Sequence, residues 1–138
     1  MLVYFAGSLA GRIATLLCVL VIALPYVLRR NRLSRGLGFA QEHATPYLRS
    51  LWPHFWVGYV TLALSTVHAG TVTSAMKRAS QTGILAATGA FFLLLFEIVL
   101  GLTLKDNALP ARRRLRRLHF GTMAAFVLAL GVHLWLNA

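Results

Sequence analysis

Four stretches of the chain are apolar almost without interruption, and polar or charged positions separate them. The stretches cover residues 2–28, 51–76, 82–104 and 115–137. Each one approaches or exceeds the ~20 residues that a helix needs to cross ~30 Å of hydrocarbon. The period-two alternation typical of membrane barrel strands is absent. The pattern predicts an all-α integral membrane protein, a four-helix bundle that forms a single transmembrane domain over residues 1–138.

The cations lie mainly between these stretches, and they predict an orientation. The first and third connections, with the residues that flank them, hold 11 of the 14 Lys and Arg residues, and the second connection holds two. Since positive residues stay on the cytoplasmic side, residues 29–50 and 105–114 are expected to be cytoplasmic loops. Both termini are then on the periplasmic or outer side. We expect a multi-pass protein of the inner (cytoplasmic) membrane, with the lipid bilayer as its surroundings.

The composition narrows the class of protein further. The chain is 58% hydrophobic and 12% charged, yet its formal net charge is +11. Intrinsic disorder is excluded because it needs low hydrophobicity. A nucleic-acid partner is not expected, because a nucleic-acid-binding domain carries its basic face on a water-soluble body. Cys18 is the single cysteine, so no disulfide framework exists within the chain.

Four of the five histidines form two equally spaced pairs. His54 and His68 are in the second stretch, His119 and His133 are in the fourth, and both separations are fourteen residues. Fourteen residues make nearly four helical turns, so each pair projects from one face of its helix, at levels roughly 21 Å apart. Helices two and four cross in the same direction, which predicts one level near the cytoplasmic side and one near the outer side. His43 has no matching partner.

Facing imidazoles at two depths are what the axial ligation of two haems requires. We predict that His54 and His119 bind the iron of an inner haem, and that His68 and His133 bind the iron of an outer haem. No Cys-x-x-Cys-His motif occurs, so these are two non-covalent b haems. Each Nδ1–H should be held by a carbonyl about one turn earlier, near Ser50, Leu64, Leu115 and Ala129. The alternative is structural histidines, or a path for protons or metal ions.

Some neighbours of the histidines are candidates for haem contacts. Gly58 is one of the small residues that leave room beside a flat porphyrin, although small residues also pack membrane helices closely. Thr61 and Phe126 each lie seven residues from both histidines of their own helix. They are predicted to point into the gap between the haems. For Phe126, a place in the plain core of the bundle is the alternative.

The charged residues in or beside the spans are candidates as well. Arg12, Arg116 and Arg117 are candidate partners of the haem propionates through charge-assisted hydrogen bonds. Snorkelling to the interface explains Arg12 as well, and the positive-inside pattern explains the other two arginines. Glu97 is the only acid inside a span. It is expected to pair with an arginine of the third connection, or to serve a proton or a quinone.

Two segments around the histidines carry a family resemblance. Leu115-Arg116-Arg117-Leu118-His119-Phe120 through His133-Leu134-Trp135 resembles the ligand helix of membrane di-haem cytochromes b. Pro53-His54-Phe55-Trp56-Val57-Gly58 through His68-Ala69-Gly70 resembles its partner helix. This superfamily includes the haem core of cytochrome bc complexes and ferric-reductase-like membrane domains. The resemblance implies electron transfer between two b haems across the membrane.

The expected function is therefore that of a di-haem cytochrome b subunit in a respiratory oxidoreductase complex. No flavin, nicotinamide or iron–sulfur motif is apparent, so the chain should exchange electrons with other subunits or with a quinone rather than act as an enzyme alone. Two alternatives remain open: a stand-alone quinone-linked oxidoreductase, and a haem-free subunit for proton or metal transport or for assembly.

Overall fold

A computed structural model describes residues 2–30, 51–72, 80–105 and 110–137. These residues form four helices: α1 (Leu2–Arg30), α2 (Trp52–Thr71), α3 (Gln81–Thr103) and α4 (Arg112–Asn137). The predicted all-α class is confirmed. The helix ends lie within three residues of the ends of the apolar stretches, except that α2 ends at Thr71, five residues before residue 76. Gly70 and Thr71 close this helix, and glycine and β-branched residues are weak helix formers.

Three of the described helices are long and apolar enough to cross a membrane. They provide the candidate spans Phe5–Val27, Gln81–Thr103 and Arg112–Asn137. The helix α2 is also 20 residues long, but its hydropathy is lower because it carries two histidines, two tryptophans and several hydroxyl groups. The multi-pass membrane character is thus supported by three helices. The crossing of α2, the four-helix bundle and the sides of the termini stay predictions.

The chain divides into two compact units, Met1–His68 and Ala69–Ala138. The first unit contains α1 and most of α2, and the second contains α3 and α4. In each unit the two helices run antiparallel, because a residue near the start of one helix is hydrogen-bonded to a residue near the end of the other. We call these units the first and the second helical hairpin.

Small side chains occupy the buried face of α1 and part of the buried face of α3. On α1 the buried residues include Ala10, Ala14 and Cys18, and on α3 they include Gly83 and Ala90. Small residues let the backbones of two membrane helices approach closely. As a result, side chains of α2 and α4 reach backbone oxygens of α1 and α3.

Large apolar side chains point outward from both hairpins. Leu16, Phe92, Leu128 and Trp135 are each between 63% and 85% exposed. A water-soluble chain of this size would bury such side chains, whereas a membrane helix presents them to lipid tails. This outer surface is consistent with a bilayer as the surroundings of both hairpins.

The first turn of α3 is held by a side-chain cap. Ser80 has extended backbone angles, and its hydroxyl oxygen accepts a hydrogen bond from the Gly83 amide at 3.0 Å. This satisfies one of the amides that have no partner at a helix start. The cap keeps Gly83 in the first turn of α3, where its carbonyl meets α4.

Candidate functional site

In the first hairpin, both histidines of α2 contact backbone carbonyls of α1. His68 Nδ1 lies 2.9 Å from the Gly7 carbonyl oxygen, and His54 Nδ1 lies 2.9 Å from the Val21 carbonyl oxygen. A carbonyl oxygen can only accept a hydrogen bond, so Nδ1 carries the hydrogen and donates it in both cases. In a neutral imidazole with this tautomer, the lone pair that binds a metal is on Nε2.

In the second hairpin, both histidines of α4 contact oxygens of α3. His133 Nδ1 lies 3.1 Å from the Gly83 carbonyl oxygen. His119 Nδ1 lies 2.5 Å from the Oε2 atom of Glu97, a close contact that is poorly aligned for a hydrogen bond. The Asn137 Nδ2 atom also lies 3.3 Å from His133 Nδ1. The Gly83 carbonyl and a carboxylate oxygen are both acceptors, so these two neighbours favour the same tautomer as in the first hairpin.

The oxygens that hold the histidines repeat the spacing of the histidines themselves. On α1 they belong to Gly7 and Val21, and on α3 they belong to Gly83 and Glu97; each pair is fourteen residues apart. Two antiparallel helices show equal spacings on both helices when their register is the same at both contacts. The two hairpins therefore share one register and one arrangement of histidine and acceptor, which sequence reasoning did not find.

Midway between the two contact levels, each hairpin has a buried residue on both helices. In the first hairpin these residues are Ala14 and Thr61, and the Thr61 hydroxyl donates to the Val57 carbonyl at 2.7 Å. In the second hairpin they are Ala90 and Phe126, each 5% exposed. Burial of Thr61 and Phe126 agrees with an inward position. The predicted haem contact of Phe126 stays a prediction.

The ring of His68 packs directly on the backbone of Gly11. A Cβ atom at position 11 would lie 2.5 Å from His68 Nδ1 and 2.8 Å from His68 Cε1. An imidazole is rigid, so a larger residue at Gly11 would push the ring away from the Gly7 carbonyl. At Gly58, by contrast, a Cβ would meet Val21 Cγ2 at an ordinary 3.9 Å. The role of Gly58 beside a porphyrin stays a prediction.

The acceptors of the Nδ1 atoms are not those expected from the sequence. They lie on the neighbouring helix rather than one turn earlier on the same helix. The register between the two helices of each hairpin brings an oxygen of the neighbouring helix to each ring. The carbonyls of Gly7 and Gly83 are open to the neighbouring helix because glycine has no side chain to cover them.

In the described part of the chain, Glu97 contacts His119 and Thr122 and not the expected arginine. Its Oε2 contacts His119 and its Oε1 accepts a hydrogen bond from the Thr122 hydroxyl. The arginines of α4 form no ion pair with it in the described part of the chain. Arg12, Arg116 and Arg117 are exposed. Their predicted contacts with haem propionates stay predictions.

The donor set fits a bis-histidine haem b. Within the described ranges, no three or more His, Cys, Asp or Glu side chains gather into a metal site, but axial ligation of a haem needs two protein nitrogens. His43 lies outside the described residues. Comparisons of the chain with models of protein families, with curated proteins and with solved structures give no match.

Proposed function

We propose that the chain is a di-haem cytochrome b subunit that carries electrons across the membrane within a respiratory oxidoreductase complex. One observation carries this proposal. The Nδ1 atoms of His54, His68, His119 and His133 all lie against oxygens of the neighbouring helix, at a repeated fourteen-residue spacing. Histidine ligands of metals typically donate their second ring hydrogen to a carbonyl or carboxylate, which fixes the ring and directs Nε2 at the metal.

A purely structural role explains this arrangement less well. Hydrogen bonds between membrane helices contribute on average about 0.6 kcal/mol each. The three such bonds of His54, His68 and His133 amount to about 2 kcal/mol, a small gain for placing four ionisable rings in membrane helices. These bonds, and the contact of His119 with Glu97, are of larger consequence for ligation, because they favour one tautomer and one direction for each ring.

In the proposed assignment, which comes from the sequence spacing, His54 and His119 bind one haem and His68 and His133 bind the other. When bound, haem b supplies reversible one-electron oxidation and reduction of its iron. The chain's own contribution is to orient four imidazoles, to surround the site with apolar helices and to keep the two levels roughly 21 Å apart. The electron donor and acceptor are proposed to be partner subunits or a quinone in the inner membrane.

The first test is a spectrum of the full chain purified in detergent from cells that supply haem. We expect a b-type reduced-minus-oxidised spectrum and two haems per chain in a pyridine haemochrome assay. Protein that carries no haem under these conditions would overturn the proposal.

Histidine variants test the ligands and their pairing. His54→Ala and His119→Ala should remove the same haem, and His68→Ala and His133→Ala should remove the other, as judged from the midpoint that disappears in an optical redox titration. The matched control is His43→Ala, which replaces the one histidine outside the repeated spacing and should retain both haems. Loss of different haems from His54→Ala and His119→Ala would contradict the pairing.

The buried contact between Glu97 and His119 favours one second candidate, a haem-free proton pathway. Haem-free protein that moves protons in liposomes, and that stops doing so in Glu97→Gln, would select this candidate. Reduction of bound haem by a quinol with the isolated chain would instead select the stand-alone quinone-linked oxidoreductase.

A further inference from the structure

One of the four histidines has a different kind of neighbour from the other three. His54, His68 and His133 face neutral backbone carbonyls. His119 faces the carboxylate of Glu97, with Nδ1 and Oε2 only 2.5 Å apart. The two hairpins are alike in register, so this exchange of a carbonyl for a carboxylate is a local difference within a repeated arrangement.

Glu97 is buried and held at both of its oxygens. Its side chain is 10% exposed. The Thr122 hydroxyl donates to Oε1 while also lying 2.9 Å from the Leu118 carbonyl, one turn earlier on α4. No Lys or Arg of the described chain forms an ion pair with Glu97. Among the described residues, the side chains that contact its two oxygens are those of His119 and Thr122.

We propose that Glu97 is a positioning residue that lowers the reduction potential of the haem bound by His119, so that the two haems of this chain differ in potential. This inference rests on the proposed function. A carboxylate in contact with Nδ1 attracts the hydrogen there electrostatically, more strongly than a neutral carbonyl does, and this raises the basicity of Nε2. A more basic ligand stabilises ferric over ferrous iron.

The charge of Glu97 acts in the same direction as the basicity of the ligand. A negative charge near the iron favours the ferric state, which carries one more positive charge than the ferrous state. The low dielectric inside a membrane screens such a charge less than water does. The carbonyl of Val21, which holds His54, occupies the equivalent place in the first hairpin and has no net charge. Hydrogen bonding to axial ligands is one of the known controls of haem potential.

The test is an optical redox titration of the purified holoprotein and of Glu97→Gln, which keeps the size of the side chain and one acceptor oxygen but removes the charge. We expect the lower of two midpoints to move to a more positive value while the other is unchanged. The low-spin ferric signal of one haem should change in the electron paramagnetic resonance spectrum. Full haem content with neither midpoint moved to a more positive value would overturn the inference.

Two further variants separate the charge of Glu97 from local packing. Thr122→Val removes the hydroxyl donor but keeps the carboxylate beside His119, so we expect a smaller shift than in Glu97→Gln. Equal shifts in both variants would overturn the inference, because they would indicate a packing effect. If Glu97→Gln loses the haem, Glu97→Asp is titrated instead. We then expect a small positive shift of the midpoint, and an unchanged midpoint would overturn the inference. Absence of haem from the unchanged protein is a different result, which would reject the proposed function itself.

Discussion

An imidazole inside a membrane helix has two ring nitrogens, and the neighbours of one decide what the other can do. In all four histidines, Nδ1 lies against an acceptor oxygen, three times a carbonyl and once a carboxylate. These acceptors favour a hydrogen on Nδ1 and a lone pair on Nε2. The choice of tautomer is thus a consequence of which oxygen the neighbouring helix presents at each level.

At the residue scale, Gly11→Ala should displace the ring of His68. The added Cβ would lie 2.5 Å from His68 Nδ1, and an imidazole cannot shorten to make room. We expect Gly11→Ala to lose most of the haem assigned to His68 and His133 and to keep the other. Haem content by pyridine haemochrome, with a redox titration to show which midpoint is lost, is the measurement.

The matched control for this prediction is Gly89→Ala. A Cβ at Gly89 meets nothing within 4 Å in the described structure, so this variant should keep both haems. Its helix should be no less stable, since alanine is the better helix former by about 1 kcal/mol. A Gly11→Ala protein with both haems at full occupancy would show that the ring of His68 is not held against α1 in this way.

At the scale of elements, the helical hairpin is the repeated unit of the chain. The spacing of acceptors on α1 and α3 matches the spacing of histidines on α2 and α4, because antiparallel helices keep a constant register when small residues let them lie close. A hairpin that holds one histidine in place therefore holds the second one four turns away.

The N-cap of α3 provides a prediction at this scale. Ser80→Ala removes the hydroxyl that accepts from the Gly83 amide, and loss of such a cap costs about 1 kcal/mol. We expect a lower midpoint of thermal unfolding, and circular dichroism of the protein in detergent measures this midpoint. Thr88→Ala is the control on the same helix, because the Thr88 hydroxyl is exposed and bonds to the Ile84 carbonyl of its own helix. A shift in Thr88→Ala as large as that in Ser80→Ala would contradict the capping role.

At the scale of the whole molecule, the distribution of cations predicts the topology. Alkaline phosphatase fused after residue 138 should be active, since both termini are expected on the outer side. Green fluorescent protein fused after residue 110 should fluoresce in the cytoplasm. The reverse pattern would show that the basic connections are outside. Alkaline phosphatase fused after residue 110 should be inactive, and activity there as well as after residue 138 would contradict a crossing between the two positions.

Much of this protein follows from its sequence alone. The apolar stretches determine four helices within a few residues at most ends, because a segment without backbone partners in lipid must satisfy its own hydrogen bonds. The spacing of His54 and His68, and of His119 and His133, places each pair on one helix face, because fourteen residues are close to four turns. Both features depend only on residues within a single helix, so the local sequence pattern is enough to predict them.

The partners of those histidines depend on the tertiary structure. Gly7, Val21 and Gly83 contribute backbone oxygens, and the oxygen that each ring uses depends on the register between two helices. Glu97 stands out in the sequence as an acid in a span. Its pairing with His119 instead of an arginine was decided by how α3 and α4 lie together, because an interaction between two side chains is set by distance in space and not by distance along the chain.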